Sequence, residues 1–87
     1  MSADHEHDAR RGEQAVALLN HPLLREAFDK IKSELTDAWI SSPARDVEGR
    51  ESLYLSLKLL NQVESHMTSV INTGKMAEVL LSRRGMK

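Results

Sequence analysis

The chain has no cysteine, two prolines, four scattered glycines and three aromatic residues, Phe28, Trp39 and Tyr54. Without cysteine there is no disulfide framework and no thiolate zinc site. Lys and Arg number 12 against 13 Asp and Glu, leaving a net charge of −1. That balance supplies no global field to attract nucleic acid or an anionic membrane. No apolar run approaches the ~18–20 residues that cross a bilayer. The start, Met1-Ser2-Ala3-Asp4-His5-Glu6-His7-Asp8, is polar and shows no secretory apolar region. With 87 residues, the expectation is one small domain, and a core of this size usually contributes only ~3–5 kcal/mol unless something staples it. The devices left are well-packed helices and oligomerisation.

What is present favours helix. Leu, Ala, Glu, Lys, Arg, Met and Ser dominate, and no stretch alternates apolar and polar residues with period two. Residues 1–11 offer almost nothing to bury and read as a disordered tail. Residues 12–20 read as a short helix with Val16 and Leu19 on its apolar face, interrupted at Asn20-His21-Pro22. Over 22–40, Leu24, Phe28, Ile31, Leu35 and Ala38 follow 4-3-4-3 spacing, the pattern of a heptad stripe that Ala27 and Trp39 widen, and Ser42-Pro43 ends the helix. Residues 43–49 are a connection or a loose first turn, with Asp46 as the N-cap.

Residues 50–72 predict the longest helix, with a main stripe of Leu53, Leu57, Leu60, Met67 and Val70/Ile71, Val63 and Glu64 sharing one layer. Tyr54, Leu55 and Leu59 lie off that stripe, so 53–60 is apolar nearly all round and needs burial on more than one side. Asn72-Thr73-Gly74 is a stop signal or a tolerated interruption. The pattern resumes in phase at Ala77 and Leu81, flanked by Met76, Val79 and Leu80, which favours one long helix bent or frayed at Gly74 and ending near Arg83-Arg84-Gly85. Residues 12–84 then form a single helical domain with a C-terminal tail at 85–87.

The predicted fold is all-α: an antiparallel helical hairpin with a kinked short N-terminal helix. At ~1.5 Å per residue the first long helix measures ~28 Å and the second ~50 Å, while the 12–20 segment spans only ~13 Å, too little to cover the surplus. The chain is therefore expected to form a homo-oligomer and to bind another protein. The expected interface is Leu53, Tyr54, Leu55, Leu59, Met76 and Leu80.

No arrangement of residues points to catalysis. His5 and His7, at i,i+2 in a polar tail, make a poorly organised metal pair. His21 reads as a helix-start or exposed residue, His66 as exposed or at an interface, and Glu64 as an edge carboxylate paired with a cation. Ser41, Ser42 and Ser52 have no His and Asp beside them in a recognised order, and no glycine-rich phosphate loop exists. The expectation is no enzyme, no cofactor, no metal and no membrane partner. Arg10-Arg11 and Arg83-Arg84 with Lys87 are candidate nucleic-acid contacts that an oligomer would multiply. No aromatic residue interleaves with them for stacking.

The layout of Leu23–Trp39, then Asp46-Val47-Glu48-Gly49-Arg50-Glu51-Ser52-Leu53-Tyr54-Leu55, then Thr73-Gly74-Lys75-Met76-Ala77-Glu78 resembles small helical proteins encoded by tailed bacteriophages. They share an HPLL…AF…W helix, an acidic EGRE turn and a late TGKMAE segment. The likeness covers about residues 20–78. It implies an all-helical protein of the host cytoplasm, in some cases virion-associated, with a role in virion assembly or DNA packaging and no catalytic residues to carry over. The helix-turn-helix usual in small terminase subunits is missing. Two further readings follow: a small inhibitor of a host enzyme or defence component, and a packaging factor that contacts DNA.

Overall fold

The computed structural model describes residues 2–85. The chain is all-helical over that range: α1 is Ser2–Leu19, α2 is Pro22–Ser41 and α3 is Val47–Gly85. Contacts gather the helices into two compact units. The first comprises residues 1–21 and 65–87, the second residues 22–64. The expected division was a tail and one domain.

In the first unit α1 packs against the C-terminal half of α3. Residues 2–11, expected to be a disordered tail, belong to α1. The reason lies in small side chains. Ala9, Gly12 and Ala15 are buried on α1, and Gly74 and Ala77 on α3. A Cβ on Gly12 would lie 2.9 Å from the Gly74 Cα, and one on Gly74 would lie 2.7 Å from the Gly12 Cα. The backbones thus touch where the two glycines meet, and the segment docks without any large apolar stripe. His5 and Asp8 of α1 line a hollow with Met76, Ala77 and Leu80 of α3, and Ala15 and Leu18 line one with His66 and Met67, so the two segments run antiparallel. At 18 residues, α1 is about 27 Å long, twice the span read from the sequence. It covers one side of the α3 segment expected to remain bare and leaves Met76 and Val79 exposed.

Gly74 neither stops nor splits α3, which continues for 39 residues. No described glycine has a positive φ, so Gly74 serves close approach and not a C-cap turn.

In the second unit α2 packs against the N-terminal half of α3 across a short connection. Asn20 and His21 N–H groups donate to the Val16 and Leu18 carbonyls and close α1 before Pro22 opens α2. At the other end, the Asp46 carboxylate accepts the Gly49 N–H at 3.0 Å, an N-cap on the first turn of α3. This cap starts the helix at Val47, three residues before the predicted start. Leu53, Leu57, Leu60 and Glu64 of α3 are half-buried, as are Leu24, Phe28, Lys32 and Leu35 of α2.

The α2 seam departs from the expected one at Ile31. Ile31 is exposed and Lys32 is half-buried in its place, while toward the end of α2 both Ala38 and Trp39 are exposed, Trp39 reaching α3 through its contact with Arg50. Two polar contacts account for the shift. Lys32 Nζ pairs with a Glu64 carboxylate oxygen, and Trp39 stacks under the Arg50 guanidinium, 4.4 Å from the ring centroid. Both pairs bridge the helices, so the seam follows them while the aliphatic stems of Lys32 and Arg50 fill the space between.

Candidate interaction surface

The main property of the surface is what the helices leave open. Among the described residues the buried apolar side chains are Ala9, Ala15 and Ala77; no large one is buried. Thirteen large apolar residues are exposed, spread over all three helices. Helix pairs with one open side have this signature, because two helices alone cannot enclose a Leu or Ile from every direction.

The six expected interface residues fall into two groups. Tyr54, Leu55, Leu59 and Met76 are exposed, Leu59 and Met76 at 62% each. Leu53 and Leu80 are half-buried. Leu53 belongs to the α2 seam, and Leu80 lines a hollow of about 360 Å³ with His5, Asp8 and Met76 between α1 and α3 of the first unit. A helical wheel shows that a helix is apolar all round; it does not show which side the chain's own neighbour takes. Ile31 and Val63, read as stripe residues, are also exposed, as is Val79 beside Met76. Ile31 and Val63 each directly precede a member of the interhelical ion pair, Lys32 or Glu64, which takes the half-buried position.

At the α2–α3 connection, Trp39, Ala44, Val47, Arg50, Glu51 and Tyr54 line a shallow hollow of about 380 Å³. Arg50 organises it. Its Nη1 donates to the Ser42 hydroxyl at 3.1 Å and the Ser42 carbonyl at 3.4 Å while the guanidinium covers Trp39. The Ser42 hydroxyl in turn donates to the Trp39 carbonyl at 2.6 Å. Arg50→Ala is expected to cost about 1–2 kcal/mol, combining a cation–π contact with a charged hydrogen bond at a partly exposed site. Trp39 is the chain's one tryptophan, so its fluorescence reports the change directly. An emission maximum that stays put on substitution would contradict the stacking.

The remaining candidates do not converge. Arg10 and Arg11 on α1, and Arg83 and Arg84 on α3, are exposed. The antiparallel register, Gly12 against Gly74, separates the two pairs by about 12 Å along the helix axis. Lys87 lies outside the described residues, as does the rest of the tail beyond Gly85. His5 and Asp8 share one face of α1 without a third ligand. Among the described residues, no group of three or more His, Cys, Asp or Glu could hold a metal ion. His66 is exposed beside Arg11, Ser69 and Thr73. Ser52 accepts, through its carbonyl, the Ser56 hydroxyl at 2.9 Å. Among the described residues no helix is long and apolar enough to cross a membrane.

No protein-family model matches the chain, and no curated protein or solved structure matches it.

Proposed function

We propose that the chain is a non-enzymatic helical subunit that associates with itself and acts as an assembly or adaptor protein of tailed-phage type. It would work in virion assembly or DNA packaging inside the host cell. The observation that carries the self-association is the absence of any buried large apolar side chain among the described residues. The accessible surface agrees with it. At 6758 Å², it exceeds by roughly 1,600 Å² what a folded monomer of this mass exposes. A chain that leaves this much open gains stability from a partner present wherever it folds, and a second copy meets that condition. The phage role rests on the HPLL, EGRE and TGKMAE segments.

Sedimentation of the full chain tests the first part. A mass at or above twice 9.8 kDa across the micromolar range is the expected result, and a monomer at every concentration would reject it. Affinity capture from infected cells tests the second. Phage structural proteins in the eluate support the assembly role, whereas a single host protein would replace it with an inhibitor role.

A further inference from the structure

The α2–α3 pair of the second unit has two unlike sides. Its seam runs through Phe28, Lys32, Leu35 and Trp39 on α2, and Leu53, Leu57, Leu60 and Glu64 on α3. In an antiparallel pair of right-handed helices, the residues just before each seam residue fall on one side for both helices. Those just after it fall on the other.

On the preceding side, α2 presents Ala27, Ile31, Glu34 and Ala38, and α3 presents Ser52, Ser56, Leu59 and Val63. All eight are exposed. Ile31 is 44% open, Leu59 62% and Val63 46%. Glu34 is the one charge at these positions. On the following side, Asp29, Ser33 and Thr36 of α2 meet Lys58 and Asn61 of α3. The large residues there, Ile40 and Tyr54, sit toward the connection. One side of the pair therefore carries an apolar cluster of Ile31, Leu59 and Val63 at the end away from the connection, with small residues and Glu34 toward the connection, and the other side is polar for most of its length.

We propose that a second copy of the chain docks on the Ile31–Leu59–Val63 side, so that two α2–α3 pairs close into a four-helix bundle. This rests on the self-association proposed above and names the face that performs it. Three properties select a second copy as the occupant. The face is close to uncharged, so it offers no complement to a charged partner, while an apolar face matches its own copy across a two-fold axis. Small Ala27 and Ala38 lie on either side of Ile31 on α2, and small Ser52 and Ser56 precede large Leu59 and Val63 on α3, so the face has both ridges and gaps for a second helix pair to fill. The chain as a whole exposes a surplus of roughly 1,600 Å², within the range that each partner of an obligate homodimer buries, about 1,000–2,500 Å², and the Ile31–Leu59–Val63 face is one part of that surplus.

The cysteine-free chain makes the test direct. Leu59→Cys and Asn61→Cys place single thiols on the two sides, and each full-length variant is labelled with a maleimide at concentrations where sedimentation shows the oligomer. Leu59→Cys is expected to label at least tenfold more slowly than Asn61→Cys, and the protection is expected to vanish on dilution into the monomer range. In parallel, the double variant Ile31→Glu/Leu59→Glu is expected to sediment as monomer, and Ser33→Glu/Asn61→Glu to retain the wild-type mass. Equal labelling rates in an intact oligomer overturn this face but leave self-association standing. A wild-type chain that is monomeric throughout overturns both, and assigns the face to a different protein. Should the double variant lose its helix, the labelling ratio decides.

Discussion

Gly74→Ala is expected to destabilise the packing of α1 on α3 by roughly 1–2 kcal/mol, although helix propensity alone would make it stabilising by about 1 kcal/mol. The two effects oppose each other, and geometry decides which wins. A Cβ on Gly74 would meet the Gly12 Cα at 2.7 Å, the Asp8 carbonyl oxygen at 3.0 Å and the Gly12 N at 3.2 Å. All three are backbone atoms of a helix, so none can rotate away as a side chain tip would. The helices must separate, and separation opens the contacts of Ala9, Ala15 and Ala77 as well. Gly74→Leu, with three more carbons to place, is expected to undock α1 altogether. Amide exchange across residues 2–19 would then approach that of an isolated helix, which at this length is marginal in water.

Gly49→Ala provides the contrast. Its Cβ would crowd only the Asp46 carboxylate, a movable side chain. The propensity gain is offset there by a strained cap, and the change is expected to stay within about 0.5 kcal/mol. A further signature is coupling. Once Gly74→Ala has pushed the helices apart, Gly12→Ala should cost little more, so the double variant falls well short of the sum of the singles. Denaturant unfolding followed by circular dichroism measures all of these. A stabilised Gly74→Ala would show that the two backbones do not touch.

The same crossing explains what the sequence concealed. Hydrophobic periodicity finds helices by their large residues, and α1 docks its first half through Ala9 and Gly12. Residues 2–11 therefore carried no stripe to read, and their acids and histidines looked like a solvated tail. Gly74 was ambiguous for a related reason: a glycine that stops a helix and one that admits a neighbouring backbone look alike until the neighbour is known. The continuation of phase through Ala77 and Leu81 was the better guide, and α3 follows it. The bounds of α2 were legible to within a residue because Pro22 and Ser42-Pro43 act locally. The α2 seam was legible at Leu24, Phe28 and Leu35 and displaced by one residue at Ile31. Ile31 outranks Lys32 in hydrophobicity, and only the approach of Glu64 makes Lys32 the residue that faces α3. The surplus at Tyr54, Leu55 and Leu59 was plain from the sequence, because no single neighbour can cover a helix that is apolar all round.

That surplus leads to the second large effect, a melting temperature that rises with protein concentration. If two chains unfold from one bundle, dissociation is part of the transition and mass action stabilises the folded form. Taking ~0.7 kcal/mol per residue for the unfolding enthalpy over both chains, each tenfold increase in concentration is expected to raise Tm by about 4 °C. From 1 to 100 μM the shift is then about 8 °C, far outside the error of a thermal scan. A monomer gives none, since its equilibrium contains no concentration term. The size of the shift also separates two modes of association. Folded monomers that pair weakly at the surface lose the dependence below their dissociation constant, where Tm becomes flat. A bundle whose chains, among the described residues, bury no apolar side chain larger than alanine when alone has little folded monomer to fall back on, and its helical signal should decline continuously on dilution. Ile31→Glu/Leu59→Glu extends the argument: placing carboxylates on the apolar side of the α2–α3 pair should abolish the concentration dependence and lower Tm at every concentration. The same two charges would leave Tm unchanged if that side faced only water.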